Sequence, residues 1–380
     1  MINAKVIADS ENQFGNRITT LIVTMPRYIL AEFNTHRMLS KNSASSRAIP
    51  FEKNLKSIQE NPFIPIAWMK DHKGMQGTEF ITKPEHISTI EKDWLDARDY
   101  AIKQAEVLSD GFHEDGEQTD CVTKQIVNRL LEPFMWHTII VTGTEWENFF
   151  ALRCPKYTVI DDDKPRIFRS KKDLLKYYNQ FDAHVDTGIY QFNDYNEINW
   201  LLLNKGQADI HMMATAEAIW DALNESTPKE LKEGQWHIPF GDQIDIKGYT
   251  KFLKEGGGVR SPLDIKRLPE FLNNFEIKIA TARCARVSYT VVGEEESNRD
   301  SNDKYTDDLR LHDRLAKFGH WSPFEHCAKA MDINEYTENT LDESYITNIK
   351  EEANVIKGIN GNFRGFIQYR KMFNNENITK

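Results

Sequence analysis

A short stretch near the amino terminus gathers side chains that suit an anionic ligand. From Asn34 to Arg47 the sequence reads NTHRMLSKNSASSR, with His36, Arg37 and Arg47 set among hydroxyl groups. Arginine presents a planar set of N–H donors to phosphate, and hydroxyls with backbone amides can complete such a site. The alternative is a polar helix end that is capped by its own serines. The hydroxyl side chains are Thr35, Ser40, Ser43, Ser45 and Ser46.

Two further polar motifs occur near the carboxyl terminus. One is ATARCARVSY, from Ala280 to Tyr289, and the other is GHWSPFEH, from Gly319 to His326. The histidines and the glutamate of the second motif are residue types that bind metals. Pro323 prevents the continuous helical face that an HExxH zinc site uses, so we expect no metal here.

Together these motifs resemble those of the flavin-dependent thymidylate synthases. The Arg-His-Arg triplet of that family is matched by Thr35-His36-Arg37, and its later serine and arginine by Ser45 and Arg47. ARCARVSY is similar to the family's Ala-Ala-Arg-Val-Ser element, and GHWSPFEH to its Gly-His-x-Ser/Thr-Pro-x-Glu-His element. Several motifs agree independently, and no single one would suffice.

The resemblance implies roles for residues of this chain. The implied FAD contacts are His36, Arg37, Ser40, Asn42, Asn148, Ser288, His320 and Ser322. The implied contacts to the substrate's phosphate and sugar are Ser45, Ser46, Arg47, Arg129 and Arg153. The implied catalytic residues are His36, Arg37 and Arg153. Arg129 matches a family arginine only approximately, and Arg153 could alternatively be a solvated cation at a helix end.

The resemblance also implies a fold and a reaction. The expected fold is α/β (α+β), a mixed sheet flanked by long helices, assembled as a homotetramer with sites between chains. The expected reaction converts dUMP to dTMP, with FAD as cofactor and NADPH and methylenetetrahydrofolate as co-substrates. In the family the two carboxy-terminal motifs precede the triplet, whereas here they follow it. We therefore expect a phage-like, circularly permuted member of the family with an insertion.

Three departures keep other functions open. Thr35 stands where the family has an arginine, Ser43 where it has a glutamate, and His211 where it has an acid. The first two positions lie close to the flavin and the pyrimidine in the family. A related reaction on dCMP, or one that leaves a hydroxymethyl group, is therefore an alternative, and a non-catalytic relative that binds flavin or nucleotide is another.

The composition limits the possible partners. With 380 residues, 40% of them hydrophobic, the chain can bury a substantial core. A formal charge of −10 argues against a general nucleic-acid binder, since phosphate backbones select basic surfaces. We find neither a signal peptide nor a long apolar segment, and so expect a cytoplasmic protein that does not bind membranes. The four cysteines lack CxxC spacing and are expected to be core thiols.

Strands and helices must position these motifs. Lys5 to Ala8 and Ile18 to Thr24 are β-branched runs that predict strands, and Pro26 is expected to open a helix that leads to His36. Thr144 and Glu147 predict a capping box that places Asn148 and Arg153 on one helix. The predicted divisions are 1–153 and 275–380 for the two parts of a flavin- and nucleotide-binding core, 154–206 for an inserted subdomain, 207–240 for a core helix and loop, and 241–274 for a surface excursion.

The tail GNFRGFIQYRKMF, from Gly361 to Phe373, is unusually aromatic and basic. Its Gln368 and Arg370 match a glutamine and an arginine that the family carries before its histidine, positions that Glu32 and Thr35 occupy here. One hypothesis is that the tail folds back and returns these groups to the pyrimidine. The other is a terminal strand with a solvated edge.

Overall fold

The structure, a computed structural model, describes residues 1–74, 77, 79–113, 115–161, 164–180, 208–245, 262–289, 304–332, 362–373 and 376. Residues 162–163 and 181–206 of the predicted insertion and 246–261 of the predicted surface excursion lie outside these ranges. The fold is α+β, with a mixed sheet and several helices, in agreement with the predicted class. Within the described ranges, no helix is both long and apolar enough to cross a membrane.

The described strands form one larger and two smaller sheets. Their bounds are β1 (Asn3–Asn12), β2 (Arg17–Pro26), β3 (Ser40–Ser43), β4 (Trp136–Gly143), β5 (Tyr157–Asp161), β6 (Lys164–Phe168), β7 (Lys229–Leu231), β8 (Trp236–His237), β9 (Ala328–Ala330) and β10 (Phe366–Gln368). The main sheet has the order β3-β4-β2-β1-β7. Only β1 and β7 run parallel in it; the other neighbours are antiparallel.

Helices cover the sheet and extend beyond it. The described α-helices are α1 (Leu30–Phe33), α2 (Phe51–Glu60), α3 (Pro84–Asp110), α4 (Lys124–Val127), α5 (Glu147–Arg153), α6 (Lys171–Gln180), α7 (Ile210–Glu225), α8 (Pro262–Arg286) and α9 (Lys304–Phe318). Short 3-10 turns precede α1 at Arg27–Ile29, continue α4 over Asn128–Phe134, and occur at Val287–Tyr289, Ser322–Glu325 and Tyr369–Met372.

The two faces of the main sheet are buried against different parts of the chain. Alternate side chains of a strand point to opposite faces. On one face, Leu21 and Val141 pack in a core that includes Met212 and Ala216 of α7. On the other, Ile140 packs with Cys284 of α8 and with Phe240. The sheet therefore joins the amino-terminal half of the chain to the carboxy-terminal motifs.

A buried polar row crosses the second face. Thr20 of β2 lies opposite Thr142 of β4, and their hydroxyls are 2.7 Å apart. His237 bonds through Nε2 to Thr20 over 2.8 Å and through Nδ1 to Ser10 over 2.9 Å. His326, at the end of the GHWSPFEH motif, bonds through Nδ1 to Thr142 over 2.8 Å. Both histidines are fully buried, which places them inside the fold and away from solvent.

The structure confirms some local predictions. The predicted strands at Lys5–Ala8 and Ile18–Thr24 are contained in β1 and β2, which are longer than predicted. The helix after Pro26 is present as a 3-10 turn followed by α1, with Ile29 and Phe33 buried. Gly319, with a φ of 70°, directly follows the end of α9, where a left-handed backbone conformation suits glycine.

Other local predictions were wrong. The capping box at Thr144 does not form, because the N-cap of α5 is Trp146, two residues after Thr144. Cys121 is exposed, whereas the other cysteines, Cys154, Cys284 and Cys327, are buried as expected.

The described part of the 154–206 insertion attaches to α7. Glu217 of α7 accepts hydrogen bonds from the backbone N–H of Lys171, at 2.6 Å, and from the Tyr157 hydroxyl, at 3.3 Å. The Trp220 indole N–H donates to Asp173 over 2.5 Å. These bonds fix β5, β6 and the start of α6 to the helix behind the main sheet.

Candidate active site

The loop from Asn34 to Arg47 runs between α1 and α2 along the edge of the main sheet. Its middle forms β3, where Ser40 pairs with Thr142 and Ser43 with Ile139 of β4. The pairing continues one residue further, since the Ala44 N–H donates to the carbonyl of Thr138 over 2.8 Å. The sheet therefore fixes the loop's backbone and decides which of its side chains point inward.

His36 and Arg153 form the centre of a charged cluster at the start of the loop. The Nε of Arg153 donates to Nε2 of His36 over 3.0 Å, and its Nη1 is paired with Glu32. Phe149, one turn before Arg153 on α5, packs edge-on against the His36 ring with centroids 4.9 Å apart. Lys41 donates to the His36 carbonyl. The resemblance had grouped His36 with Arg153, and the structure brings them into contact.

This cluster changes the ionisation of two of its members. Burial, and after it the nearby cations of Arg153 and Lys41, lower the pKa of His36 to about 4. Burial also lowers the pKa of Lys41 to about 8. A histidine with such a pKa is neutral near pH 7, and its Nε2 is then free to accept the hydrogen bond from Arg153.

Asn42 connects the loop to both carboxy-terminal motifs. Its Nδ2 donates to the Cys284 carbonyl over 2.8 Å and to the Ser288 hydroxyl over 3.3 Å. Its Oδ1 accepts from the Ser322 hydroxyl over 3.1 Å. The Ser45 N–H donates to the Ser288 carbonyl over 3.1 Å, which adds a backbone link. One amide side chain thus joins three sequence motifs that are far apart along the chain.

The tail folds back onto the same loop. Gln368, at the end of β10, donates to the Ser40 hydroxyl over 3.0 Å and to the Asn362 side-chain oxygen over 2.6 Å. Asn362 donates in turn to the Met38 carbonyl over 2.7 Å. Ser40 and Gln368 are both buried. Their side chains therefore hold the loop and the tail together, and their polar groups are occupied by the protein.

Arg370 of the tail also forms contacts within the protein. It pairs with Glu325 of the GHWSPFEH motif, and its Nε lies 3.1 Å from a carboxylate oxygen of Glu376. Thr144, which was expected to cap α5, instead accepts a hydrogen bond from the Arg364 N–H over 2.9 Å. The tail is thus tied to the motif loop, to the approach to α5 and to the Ser322–Glu325 turn.

The back of the loop is held by residues before β4. The Ser46 hydroxyl donates to Glu132 over 2.7 Å, and Glu132 lies 3.3 Å from the Arg27 guanidinium. Asn128, fully buried, donates from Nδ2 to the Ser46 carbonyl over 2.6 Å and to the Ile49 carbonyl over 3.1 Å. Of the two positions that approximately match the family's upstream arginine, Asn128 faces the loop, whereas Arg129 is exposed.

Several predicted site residues keep their polar groups in solvent. Arg37 and Arg47 are exposed, and neither makes a hydrogen bond or an ion pair with any residue that the structure describes. Exposed cations and amides flank the buried part of the loop and can accept an anionic ligand without breaking a protein contact. The exposed members of the predicted site are Arg37, Arg47, Arg129, Asn148, His320 and Ser322.

The histidines of the GHWSPFEH motif lie in different environments. His320 is exposed, whereas His326 is fully buried in the polar row and bonded to Thr142. Among the described residues there is no group of three or more His, Cys, Asp or Glu side chains that could hold a metal. His211, one of the departures from the family pattern, is buried, and its Nε2 accepts from the Ile66 N–H over 3.0 Å.

Sequence reasoning missed the acids that complete this site. Glu32 was noted only for standing where the family has glutamine, and it pairs with Arg153. Glu132 was not singled out, although it binds both Ser46 and Arg27. Nothing in the sequence pointed to Asn362 as a site residue, apart from its position in an unusually aromatic and basic tail. Each of these contacts joins segments that are distant in sequence, so local patterns do not reveal them.

The chain shares limited similarity with known proteins. No family model matches it, and no curated protein matches it. Two similar solved structures are of a UMP/dUMP methylase, PolB, from Streptomyces cacaoi, bound with 5-Br UMP and with 5-Br dUMP. The sequence identities are 12% and 11%, the TM-scores 0.32 and 0.30, and the alignments cover 48% of this chain and 88% and 89% of the PolB chains. TM-scores this low do not establish a shared fold.

Proposed function

We propose that this protein is a flavin-dependent methylase that transfers a one-carbon unit to the pyrimidine of a nucleotide. The proposed substrate is dUMP, converted to dTMP, with methylenetetrahydrofolate and NADPH as co-substrates. The observation that supports the proposal most is the Asn42 side chain, which bonds to Ser288 and Ser322 and so joins three motifs of the resembled family. Independent motifs that meet in space are better support than the motifs alone.

The residues present fit a dinucleotide cofactor such as FAD. A pyrophosphate needs charge-assisted donors, and Arg37 and Arg47 are exposed cations on the loop. The exposed Asn148 amide adds neutral donors, and the exposed Ser322 hydroxyl, whose hydrogen goes to Asn42, can still accept a hydrogen bond. When bound, FAD would carry electrons from NADPH to the one-carbon unit, chemistry that amino-acid side chains do not supply.

The geometry divides the predicted site residues into two groups. One group forms side-chain hydrogen bonds within the protein, and we assign it to positioning the loop. Its members are Ser40, Asn42, Ser46 and Gln368. The exposed residues Arg37, Arg47, Asn148, His320 and Ser322 are assigned to cofactor and substrate binding.

Arg153 has a double role in this proposal. Its Nε and Nη1 orient it against His36 and Glu32, and its Nη2 is left for an oxygen of the nucleotide phosphate. His36 is neutral near pH 7 and accepts from Arg153, which holds the guanidinium in place. The chain's own contribution is thus to bind, orient and neutralise charge, while no side chain acts as a covalent nucleophile.

Two alternatives remain as second candidates. The substrate could be dCMP, because Thr35 and Ser43 depart from the family pattern at positions near its pyrimidine. The second alternative is a non-catalytic relative that binds nucleotide. It is favoured by the ion pair of Arg153 with Glu32, because Glu32 partly neutralises the arginine that is proposed to bind the substrate's phosphate. The homotetramer and the cytoplasmic location stay predictions of the sequence.

Flavin binding by matched arginine variants tests the cofactor assignment. We expect the purified protein to show a flavin absorption spectrum, and Arg37→Ala to lose FAD on dialysis. Arg314→Ala removes an equally exposed arginine from α9 and should retain it. A protein that binds no added FAD, or an Arg37→Ala variant that keeps a full complement, would show that the cofactor proposal is wrong.

A further inference from the structure

The buried polar row on the second face of the main sheet has no part in the proposed function. Its five side chains follow one another in single file, in the order Ser10, His237, Thr20, Thr142 and His326. Four hydrogen bonds of 2.9, 2.8, 2.7 and 2.8 Å join them, so each inner side chain bonds to the one before it and to the one after it. All five residues are at most 4% exposed, and the row is therefore buried along its length.

The two ends of the row lie in different parts of the fold. Ser10 is among the residues that line an open cavity of about 670 Å³ beside β7 and β8. This cavity lies at the β7 edge of the main sheet, whereas the loop of the candidate site lies at the β3 edge. His326 belongs to the GHWSPFEH motif, which contacts the loop through the bond between Ser322 and Asn42. The row thus leads from the cavity, across β2 and β4, to a motif of the candidate site.

Each member of the row carries one proton that it can place in a hydrogen bond. A serine or threonine hydroxyl has a single O–H, and a neutral histidine has a single N–H, on either Nδ1 or Nε2. Burial is the main cause that lowers the pKa of His237 and of His326 to about 3, so both rings are neutral near pH 7. The row therefore has five protons for its four hydrogen bonds.

Two arrangements give each of the four bonds one proton. In the first, Ser10 donates to Nδ1 of His237, each later member donates to the next, and His326 carries its proton on Nε2. In the second, every bond is reversed, so that His326 donates from Nδ1 to Thr142 and His237 donates from Nδ1 to Ser10. The two rings thus have the same tautomer in either arrangement, because a mixed pair leaves one bond without a proton or one proton without a bond.

We propose that this row is a two-state relay that couples the ring tautomer of His326 to the hydroxyl of Ser10. The fifth proton, which no bond of the row uses, lies on Nε2 of His326 in the first arrangement and on the Ser10 hydroxyl in the second. A group in the cavity that accepts a hydrogen bond from Ser10 therefore turns Nε2 of His326 from a donor into an acceptor. His237 is a positioning residue for His326, although two threonines separate the rings. The relay does not depend on the proposed methylase activity.

The two tautomers can be measured by NMR on the full-length protein with isotopically labelled histidine-ring nitrogens. The nitrogen chemical shifts distinguish an N–H from a bare ring nitrogen, and His237→Gln and His326→Gln assign the two rings. We expect the two rings to have the same fraction of the Nδ1–H form near neutral pH, at every temperature below unfolding. Mixed pairs should be rarer by roughly tenfold or more, since they leave a buried hydrogen bond unmade. Rings with different tautomers would overturn the proposal.

A comparison of two backgrounds tests whether the coupling passes through the row. Ser10→Ala removes one end of the row, and we expect it to shift the ring-nitrogen resonances of His326, because the bonds of a chain polarise one another. Thr20→Val removes a middle hydroxyl and keeps a branched side chain. In the Thr20→Val background, Ser10→Ala should leave the His326 resonances unchanged. Ser10→Thr keeps the hydroxyl and should retain the His326 resonances of the unchanged protein.

Thr138→Val is the matched control, because Thr138 is a buried threonine of β4 that is not part of the row. In that background, Ser10→Ala should shift the His326 resonances as it does in the otherwise unchanged protein. A His326 that does not respond to Ser10→Ala, or that responds equally in the Thr20→Val background, would overturn the relay. If Thr20→Val does not fold, Thr142→Val interrupts the row at the next link and gives the same test.

Discussion

Arg153 donates a hydrogen bond from its Nε to the Nε2 of His36 across 3.0 Å, although the two residues lie on different elements far apart in sequence. The same guanidinium is paired with Glu32 of α1. This contact joins α5 to the loop, and together with burial, which is the larger cause, the Arg153 cation lowers the pKa of His36. It also limits what Arg153 can offer to a ligand, so it bears on the predictions for both residues.

Arg153→Ala should weaken nucleotide binding by roughly 2 to 4 kcal/mol, the scale for removing one partner of a charged, desolvated contact. Calorimetry with dUMP and dCMP measures the change. Glu32→Gln is the paired variant, since it keeps the shape of the contact but frees the charge of Arg153. We expect it to bind nucleotide a few-fold more tightly. If Arg153→Ala binds nucleotide with unchanged affinity, Arg153 does not bind the phosphate and has only a structural role at the end of α5.

The ionisation of His36 can be followed directly by NMR titration of its ring nitrogens. We expect a pKa of about 4, well below the ordinary value near 6.5. Arg153→Ala should raise the pKa, because it removes a nearby cation that disfavours the imidazolium, while burial continues to hold it below normal. A His36 that titrates near 6.5 in the unchanged protein would contradict the buried, neutral ring.

Acid should destabilise the protein before its carboxylates titrate. Burial lowers the pKa of His137, His237 and His326 to about 3 each, whereas the unfolded chain protonates them near 6.5. Between these values the unfolded state binds more protons, so stability is complete above about pH 6.5 and falls as the pH is lowered. The expected slope is on the order of 1.4 kcal/mol per pH unit for each histidine.

Urea unfolding at several pH values between 8 and 5 measures that slope. His237→Gln should make it shallower at some cost in stability at neutral pH, because the ring bonds to Ser10 and Thr20. His86→Gln, an exposed position at the start of α3, is the control and should leave the slope unchanged. Stability that stays level from pH 7 to pH 5 would rule out buried neutral histidines.

The contact of the tail with the loop gives a further prediction. Gln368→Ala removes the donor to Ser40 and Asn362 and should lower nucleotide-dependent turnover while FAD stays bound. Met372→Ala, a change at an exposed neighbour, should have no effect. Normal turnover in Gln368→Ala would contradict a role of the tail at the site and would favour the alternative, a terminal strand with a solvated edge.

Truncation after Lys357 would be a poor probe of the tail's contact with the loop. It also removes Phe363 and Phe366, which are buried in a core with Ile18 and Ala328. Losing a buried phenylalanine costs roughly 3 to 5 kcal/mol. A truncated protein would therefore report on folding, and the single substitution separates the contact from the core.

Local sequence patterns predicted the elements that local forces determine. The β-branched runs of β1 and β2 and the helix before His36 were found because their periodicity reflects burial on one face. Thr144 was misread as a cap because its partner, the Arg364 N–H, lies in the tail.

The candidate site was predictable in its residue types and less so in their orientation. The loop was singled out for its arginines and serines, yet only the structure shows that Ser40, paired with β4, is buried and that Arg37 and Arg47, outside the paired strand, are exposed. The acids Glu32 and Glu132 depend on contacts between distant segments. Such contacts follow from the folded sheet, and no spacing within the loop encodes them.

Tritium release from C5-labelled nucleotides tests the proposed function most directly. The full-length protein is incubated with FAD, NADPH, methylenetetrahydrofolate and either labelled dUMP or labelled dCMP. We expect release of tritium to water with one of the two nucleotides, dependent on both co-substrates and reduced in Arg153→Ala. If a FAD-loaded protein that binds nucleotide releases no tritium from either, the protein is not a methylase of these nucleotides.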